Sequence, residues 1–294
     1  MPLKEIKTRI GSVKGTLKIT SAMKLVAAAK LHKAQQAVAA MLPYKQSLYK
    51  MLATVSSGTA AFSAPSKEAG EGFPRIAIIA VSSNSSLCGG FNANAVRKVL
   101  ETLRRYRADG IPEENVTVIP IGRKMADAMR RAGVATPFGD PAELARLIEH
   151  PSFAPSAALA DRLIALYNDG GFDRVELIYN HFVSTASQVP VHETWLPFTA
   201  ATPDAPLPSD RLWLLEPSRE ELLETLLPKL MRLGIYTMLL DSAAAEHAAR
   251  TVAMQTATDN GEDILEELTL EYNKGRQQKI TSELLDIIGG SMQG

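Results

Sequence analysis

Disulfides are excluded at the outset, because the 294 residues include one cysteine, Cys88. A lone thiol points to a reducing compartment. Soft-metal chemistry is equally short of ligands: His32, His150, His181, His192 and His247 are dispersed along the chain with no second thiol beside any of them. No run approaches the roughly 20 apolar residues that span a bilayer. Residues 1 to 30 interleave lysine with apolar side chains, so the continuous apolar core of a secretion signal is missing too. Net charge is +0, with 32 basic and 32 acidic residues, and bulk electrostatics favour no polyanionic partner. What the chain does have is 46% hydrophobic content, enough for a sizeable core and an extended element besides.

The charge that cancels overall is segregated. Residues 1 to 50 carry ten Lys and Arg against Glu5 alone, a net +9, whereas residues 210 to 294 carry fifteen Asp and Glu against eight Lys and Arg, a net −7. A basic helix by itself would suit nucleic acid or an anionic membrane. An acidic segment in the same chain offers an internal partner first.

Apolar residues recur at alternating steps of three and four from the start: Leu3, Ile6, Ile10, Val13, Leu17, then Ala27, Leu31, Ala34, Val38, Met41, Leu48, Leu52 and Val55, with Thr20, Lys24 and Lys45 as the interruptions. This heptad rhythm predicts a coiled-coil helix over residues 1–57, about 80 Å long at 1.5 Å per residue. Pro43 is expected to bend or break it. Ser56, Ser57, Gly58 and the stretch Pro65 to Pro74 read as a linker. A capping box, Ser218 with Glu221, opens a second long helix over residues 218–290. Its seam runs Leu223, Leu226, Leu230, Leu233, Thr237, Leu240, Ala244, His247, Thr251, Met254 and Thr258, is resumed at Ile280, Leu284 and Ile287, and stops at Gly289-Gly290. Pro228 is expected to kink it near its start. Helices this long need a partner along their length, and since one opens the chain and the other closes it, they can pair antiparallel.

Between them, residues 74–210 read as a small Rossmann-like α/β domain, giving an α/β fold class overall. Arg75 to Val81, Val116 to Ile121, Val175 to Val183 and Val189 to Phe198 have strand character. Asn92 to Arg107, Arg123 to Arg131 and Ala157 to Tyr167 have helical character, so the order βαβα predicts a largely parallel sheet closed by a hairpin. Phe138-Gly139-Asp140 reads as a turn, and Leu212 to Leu215 as a last strand after a proline-rich connector.

Three runs, KEIKTRIGSVKGTLKITSAMKLVAAAKL (4 to 31), SSLCGGFNAN (85 to 94) and RTVAMQTATDNGEDILEELTLEYNKGRQQKITSELLDIIGG (250 to 290), resemble the gamma subunit of rotary F-type ATP synthases. The resemblance implies a non-catalytic, cofactor-free shaft that couples ion flow to ATP synthesis or hydrolysis. Its implied partners are three alpha and three beta subunits around the coil, with the epsilon subunit and the membrane c-ring on the α/β domain. It also implies a peripheral place on the cytoplasmic face of a bacterial cell membrane. Carried over residue by residue, Met23, Lys24 and Lys30 would face beta subunits, with Arg250, Arg276, Gln277, Thr281 and Glu283 near further beta contacts on the last helix. Two positions depart from the family pattern: Gln255 stands where a lysine is usual, and Asn84-Ser85-Ser86 replaces a charged Asp-Arg-Gly.

Other functions compete. Leu87-Cys88-Gly89-Gly90-Phe91 lies between a strand and a helix, where a dinucleotide fold places its phosphate loop. A nucleotide-binding α/β enzyme with a coiled-coil stalk is therefore the alternative, although G-x-G-x-x-G is absent and a tight turn explains the glycines. Cys88 as a nucleophile would need a base such as His181 beside it; a small buried thiol asks for less. A nucleic-acid-binding coil would leave the acidic helix unexplained. Lys24, polar in an apolar seam, is accounted for if part of that face meets another protein.

Overall fold

The structure, a computed structural model, describes residues 2–56, 73–198, 216 and 218–291. Helix α1 spans Leu3–Ser56 and helix α6 spans Arg219–Ser291. They pair antiparallel: Leu3 packs at Gly275, Leu17 at Gly261 and Thr20 at Thr258, Leu31 and Ala34 meet Ala244 and Ala248, and Leu48, Leu52 and Val55 cluster with Leu223, Leu230 and Leu233. Each step toward the C-terminus of α1 is matched by an equal step toward the N-terminus of α6. All seam positions of α1 named above are buried or half-buried, Lys24 and Lys45 included. The buried Thr258–Thr20 hydrogen bond, 2.9 Å between hydroxyls, sets a polar layer in the coil that fixes its register.

Several expectations need correcting. Of the bend or break expected at Pro43 the break does not occur, and α6 is continuous through Pro228, as a kinked helix also is; packing along each seam holds a helix across one lost backbone bond. Gly289-Gly290 does not end α6, which runs to Ser291. The seam of α6 does not resume at Ile280. It continues without a gap through Gly261, Leu265, Leu268, Tyr272 and Gly275, while Ile280, Leu284 and Ile287 are exposed, because α1 begins opposite Gly275 and offers them no partner. Among the described residues no ion pair joins α1 to α6. The opposite charges of the two segments act at long range, and apolar packing makes the contact.

The intervening chain forms β1 (Ile76–Val81), α2 (Phe91–Ala108), β2 (Val116–Ile121), α3 (Arg123–Arg131), α4 (Pro141–Glu149), α5 (Phe153–Asn168), β3 (Arg174–Phe182) and β4 (Gln188–Leu196). The strand order is β2-β1-β3-β4, with β1 parallel to both β2 and β3 and β4 antiparallel to β3. Strand β1 is buried at every position, as expected of a central parallel strand covered on both faces. On one face Ile76, Ile78 and Ala80 meet Val99 and Tyr106 of α2 and Met125 and Met129 of α3. On the other, Ala77, Ile79 and Val81 meet α4 and α5 and, on α6, Met231, Ile235, Met238, Leu239 and Ala243. Phe138-Gly139-Asp140 is the turn expected there, and helix α4, which no expectation covered, begins directly after it: Asp140 caps it, its Oδ1 accepting the Ala142 N–H at 3.0 Å, with Pro141 in the first turn. The strand expected at Leu212 to Leu215, the linker at 57 to 72 and the connector at 199 to 209 lie outside the described residues.

The sheet face thus has α6 as part of its core. Around residues 238 to 249, α6 is buried on three sides, with Ala243 facing the sheet, Ala244 facing α1 and Ala245 facing the Cys88 turn.

Candidate functional site

In a doubly wound sheet the ligand crevice opens at the carboxyl ends of strands where the strand order reverses. Here that point lies between β1 and β3, since β2 was laid down on one side of β1 and β3 on the other. The place is filled. Cys88 and Phe91 pack there against Ala245 and Ala249 of α6, with Phe182 at the end of β3 closing over them. Asn180 donates from Nδ2 to the Phe91 carbonyl at 3.0 Å. Helix α6 occupies the position in which a nucleotide fold holds its ligand.

The turn between β1 and α2 is tied internally. Leu87 and Gly89 adopt positive φ, 66° and 56°. Asn92 accepts at Oδ1 from the Ser83 N–H (3.0 Å) and donates from Nδ2 to the Ser85 carbonyl (3.2 Å). Cys88 is 1% exposed, lies 3.7 Å from Ser83 Oγ, and its thiol is pushed up by burial, with Ser83 and Arg250 acting the other way. A raised thiol pKa with no base beside it is the reverse of an activated nucleophile.

Arg250 closes the turn onto α6. Its guanidinium donates to Glu246 Oε1 within the helix, and across to Ser85 Oγ at 2.8 Å and the Ser86 carbonyl at 3.4 Å; the two ion-pair side chains are 11% and 9% exposed. Glu246 is held above the ordinary carboxylate range by burial, opposed by the charges of Arg250 and of Lys30 from α1. His247, on the seam, is pushed down to about 4 by burial and then by Arg250 and Lys30, and its buried Nδ1 has no hydrogen-bond partner among the described residues. It is a packed, neutral helix residue.

The residues singled out from sequence therefore separate into two places. Met23, Lys24, Lys30 and Arg250 belong to the middle of the coil. Met23 and Lys24 are half-buried, and Lys24 Nζ donates to Gln255 Oε1 at 2.9 Å. That bond, to the residue standing where the family usually has lysine, satisfies the seam lysine inside the chain and removes the need for an outside partner to explain it. Lys30 is exposed and Arg250 is spent on the chain's own turn.

Arg276, Gln277, Thr281 and Glu283 lie on the other side of Gly275, on the stretch of α6 that projects beyond α1 by about 24 Å at 1.5 Å per residue. All four are exposed; Thr281 Oγ1 bonds to the Gln277 carbonyl and Glu283 pairs with Lys279 at 3.5 Å. Beside them stand Ile280, Leu284, Leu285 and Ile287, 48 to 67% exposed. A single helix with four large apolar side chains in solvent is a surface made to be covered.

Sequence reasoning missed Glu246, Ser85 and Ser86 as partners of Arg250, and Asp241, which accepts from His181 and from the backbone of Phe182. Only the i, i+4 spacing of Glu246 and Arg250 was available to find any of them. Among the described residues no group of three or more His, Cys, Asp or Glu could hold a metal, and no helix is long and apolar enough to cross a membrane.

Comparison with known proteins places this architecture. The family model described as ATP synthase matches residues 2–292. The ATP synthase gamma chain of Phocaeicola vulgatus is 47% identical over 292 residues, covering 99% of each chain, and that of Bacteroides thetaiotaomicron is 45% identical over 304 residues, again covering 99% of each. Among solved structures, a chain of the central stalk and c-ring of the Tetrahymena thermophila mitochondrial ATP synthase matches with a TM-score of 0.53 and 25% identity, covering 81% of this chain and 99% of that one. A chain of the Euglena gracilis mitochondrial ATP synthase shares the fold, with a TM-score of 0.60 at 19% identity over 99% of this chain and 93% of the other.

Proposed function

This chain belongs to the ATP synthase gamma-chain family, and from that premise we propose that it carries rotation between its α/β domain and the projecting end of α6, which is its bearing inside a ring of alpha and beta subunits. The family is the non-catalytic central-stalk subunit of the F-type ATP synthase, and attachment to the membrane is through that complex. The observation that carries the reading is the end of α6: about 24 Å of helix with no partner among the described residues and with four large apolar side chains exposed between polar ones, at the far end of the coil from the α/β domain. A compact domain at one end and a bare helix at the other suit a shaft with one end seated in a sleeve. Its partners are accordingly three alpha and three beta subunits around the coil, with epsilon and the membrane c-ring on the α/β domain. Its location is the cytoplasmic face of a bacterial cell membrane, in line with the bacterial relatives.

Division of the chain into a helix over 1–57, a domain over 74–210 and a helix over 218–290 fits this use. The partner-facing residues are Met23 and Lys30 at mid-coil and Arg276, Gln277, Thr281 and Glu283 on the projecting helix, while Lys24 is held by Gln255 of its own chain. Arg250 reaches a partner only through the turn that it holds.

The test is proton-driven ATP synthesis by membranes carrying Arg276→Ala with Gln277→Leu, alongside quantitation of the assembled complex. Hydrogen bonds of charged groups contribute roughly 1.5 to 3 kcal/mol, so losing both side chains lowers synthesis by about tenfold or more. Assembly stays intact, because neither residue touches the α1–α6 seam. Normal synthesis at normal assembly would show these side chains to be bystanders.

A further inference from the structure

The outer end of β3 enters the angle between the two shaft helices. Phe182, its last residue, packs against two clusters, one formed by Leu31 and Ala34 of α1 with Ala244 and Ala248 of α6, the other by Cys88 and Phe91 with Ala245 and Ala249 of α6. Asp241, one helical turn before Ala245, holds this end in place with both carboxylate oxygens: Oδ1 accepts the Phe182 backbone N–H at 3.1 Å and Oδ2 accepts from His181 Nδ1 at 2.6 Å. The Asp241 side chain is 20% exposed. Another charged contact between the domain and α6, Arg232 with Asp161, is an open surface pair with side chains 36% and 48% exposed, of a kind that contributes little.

We infer that Asp241 and Phe182 form the joint through which torque passes between the α/β domain and the shaft, Phe182 as the wedge and Asp241 as the clamp. The inference rests on the rotor reading above. The physical reason is that twisting the domain about the coil must slide β3 across α6. Apolar packing alone resists such sliding weakly, since the hydrophobic effect is non-directional. Two short, oriented bonds from one carboxylate to adjacent residues of one strand resist it, because either direction of slip lengthens at least one of them. His181 and Asp241 also line the same cleft of about 540 Å³ between α1, α6 and the β3–β4 hairpin. The joint thus borders open space on one side, while Arg250 ties the β1–α2 turn to α6 a few turns further along, through Ser85 and Ser86. Asp241 and Phe182 are positioning residues: they touch no substrate.

The experiment uses the whole complex with its alpha-beta ring fixed to a surface, a bead on the α/β domain and the motor stalled, and reads the angular variance of the bead. Variance is inversely proportional to the stiffness of the joint. A charge-assisted hydrogen bond is about twice as strong as a neutral one. Asp241→Asn, which keeps an oxygen for the Phe182 N–H, is therefore expected to raise the variance of the joint by up to about twofold, and Asp241→Ala to raise it further, with ATP hydrolysis near wild type in both. A merely structural role would lower assembled complex or thermal stability and leave the variance of assembled motors unchanged. Unchanged variance in Asp241→Ala motors would overturn the clamp and leave the rotor reading standing. Failure of the wild-type chain to turn in the ring would overturn that reading itself. Phe182→Ala is the second variant; should it fail to assemble, the Asp241 pair still decides.

Discussion

A titratable side chain inside a coil is legible in how stability responds to acid, and His247 is that residue here. Its folded pKa is pushed down to about 4 by burial and then by the charges of Arg250 and Lys30, from an ordinary value of 6.5. The unfolded chain therefore takes up a proton near pH 6.5 that the folded chain refuses until about pH 4, and stability falls as pH drops through that window. Two to three pK units correspond to about 3 kcal/mol. His247→Leu is expected to flatten this part of the stability profile, measured by urea unfolding of the purified chain between pH 7 and pH 4; an unchanged slope would mean that the ring is already solvated. Cys88 shows the opposite case. It is buried and hydrogen-bonded within its turn, with its thiol pushed up, so Cys88→Ser should leave ATPase activity of the assembled complex within a few-fold. Complete loss with assembly intact would give that turn a role its chemistry does not explain.

Among elements, the coil shows which glycines matter. At Gly261 an added Cβ would lie 2.7 Å from Leu17 Cδ2, so the helices meet there only because no side chain intervenes, whereas Gly11 and Gly15 have nothing within 4 Å. Gly261→Leu should lower the urea midpoint of the chain, by overpacking that costs about 1 to 3 kcal/mol. Gly11→Ala and Gly15→Ala should raise it, each by about 0.5 to 1 kcal/mol. Equal effects at the three positions would mean that the close approach is relaxed in solution. The same glycines explain what sequence could convey. The rhythm of three and four was readable from Leu3 to Val55 and from Leu223 to Thr258 because apolar side chains mark it. It was lost from 261 to 275 because two of the five positions that continue it are Gly261 and Gly275, which carry no apolar signal though their backbones pack. The exposed Ile280, Leu284 and Ile287 have the right spacing and no partner, so spacing alone made them look like seam. Helix α4, nine residues long, was hidden by the glycine and aspartate that precede it. The polar joints were illegible for a different reason: Asp241 meets His181 and Arg250 meets Ser85 across 60 and 165 residues, and nothing local announces such pairs.

The whole molecule is a hairpin of two helices with a domain inserted at its bend, and this topology makes a demand on the way it can turn. If α1 and α6 rotate together as one body, bonding them to each other leaves the motion untouched; if they slide or unwind against each other in each cycle, the same bond stops it. Thr20 and Thr258 already meet side chain to side chain at 2.9 Å, close enough for a disulfide after modest adjustment. In a Cys88→Ser background, Thr20→Cys with Thr258→Cys should therefore oxidise readily, while Thr20→Cys with Gly275→Cys, some 25 Å apart by the rise of a helix, should not. The first pair tests the antiparallel register, and ATP hydrolysis by the oxidised complex tests the rigid body. Rates should stay near those of the reduced complex, because Leu3 to Val55 and Leu223 to Gly275 form one continuous packed seam, with no break at which the two helices could slip. Loss of activity on oxidation, restored by reductant, would show that the shaft works by internal shear, and torque would then have to be sought in the seam itself as well as at its ends.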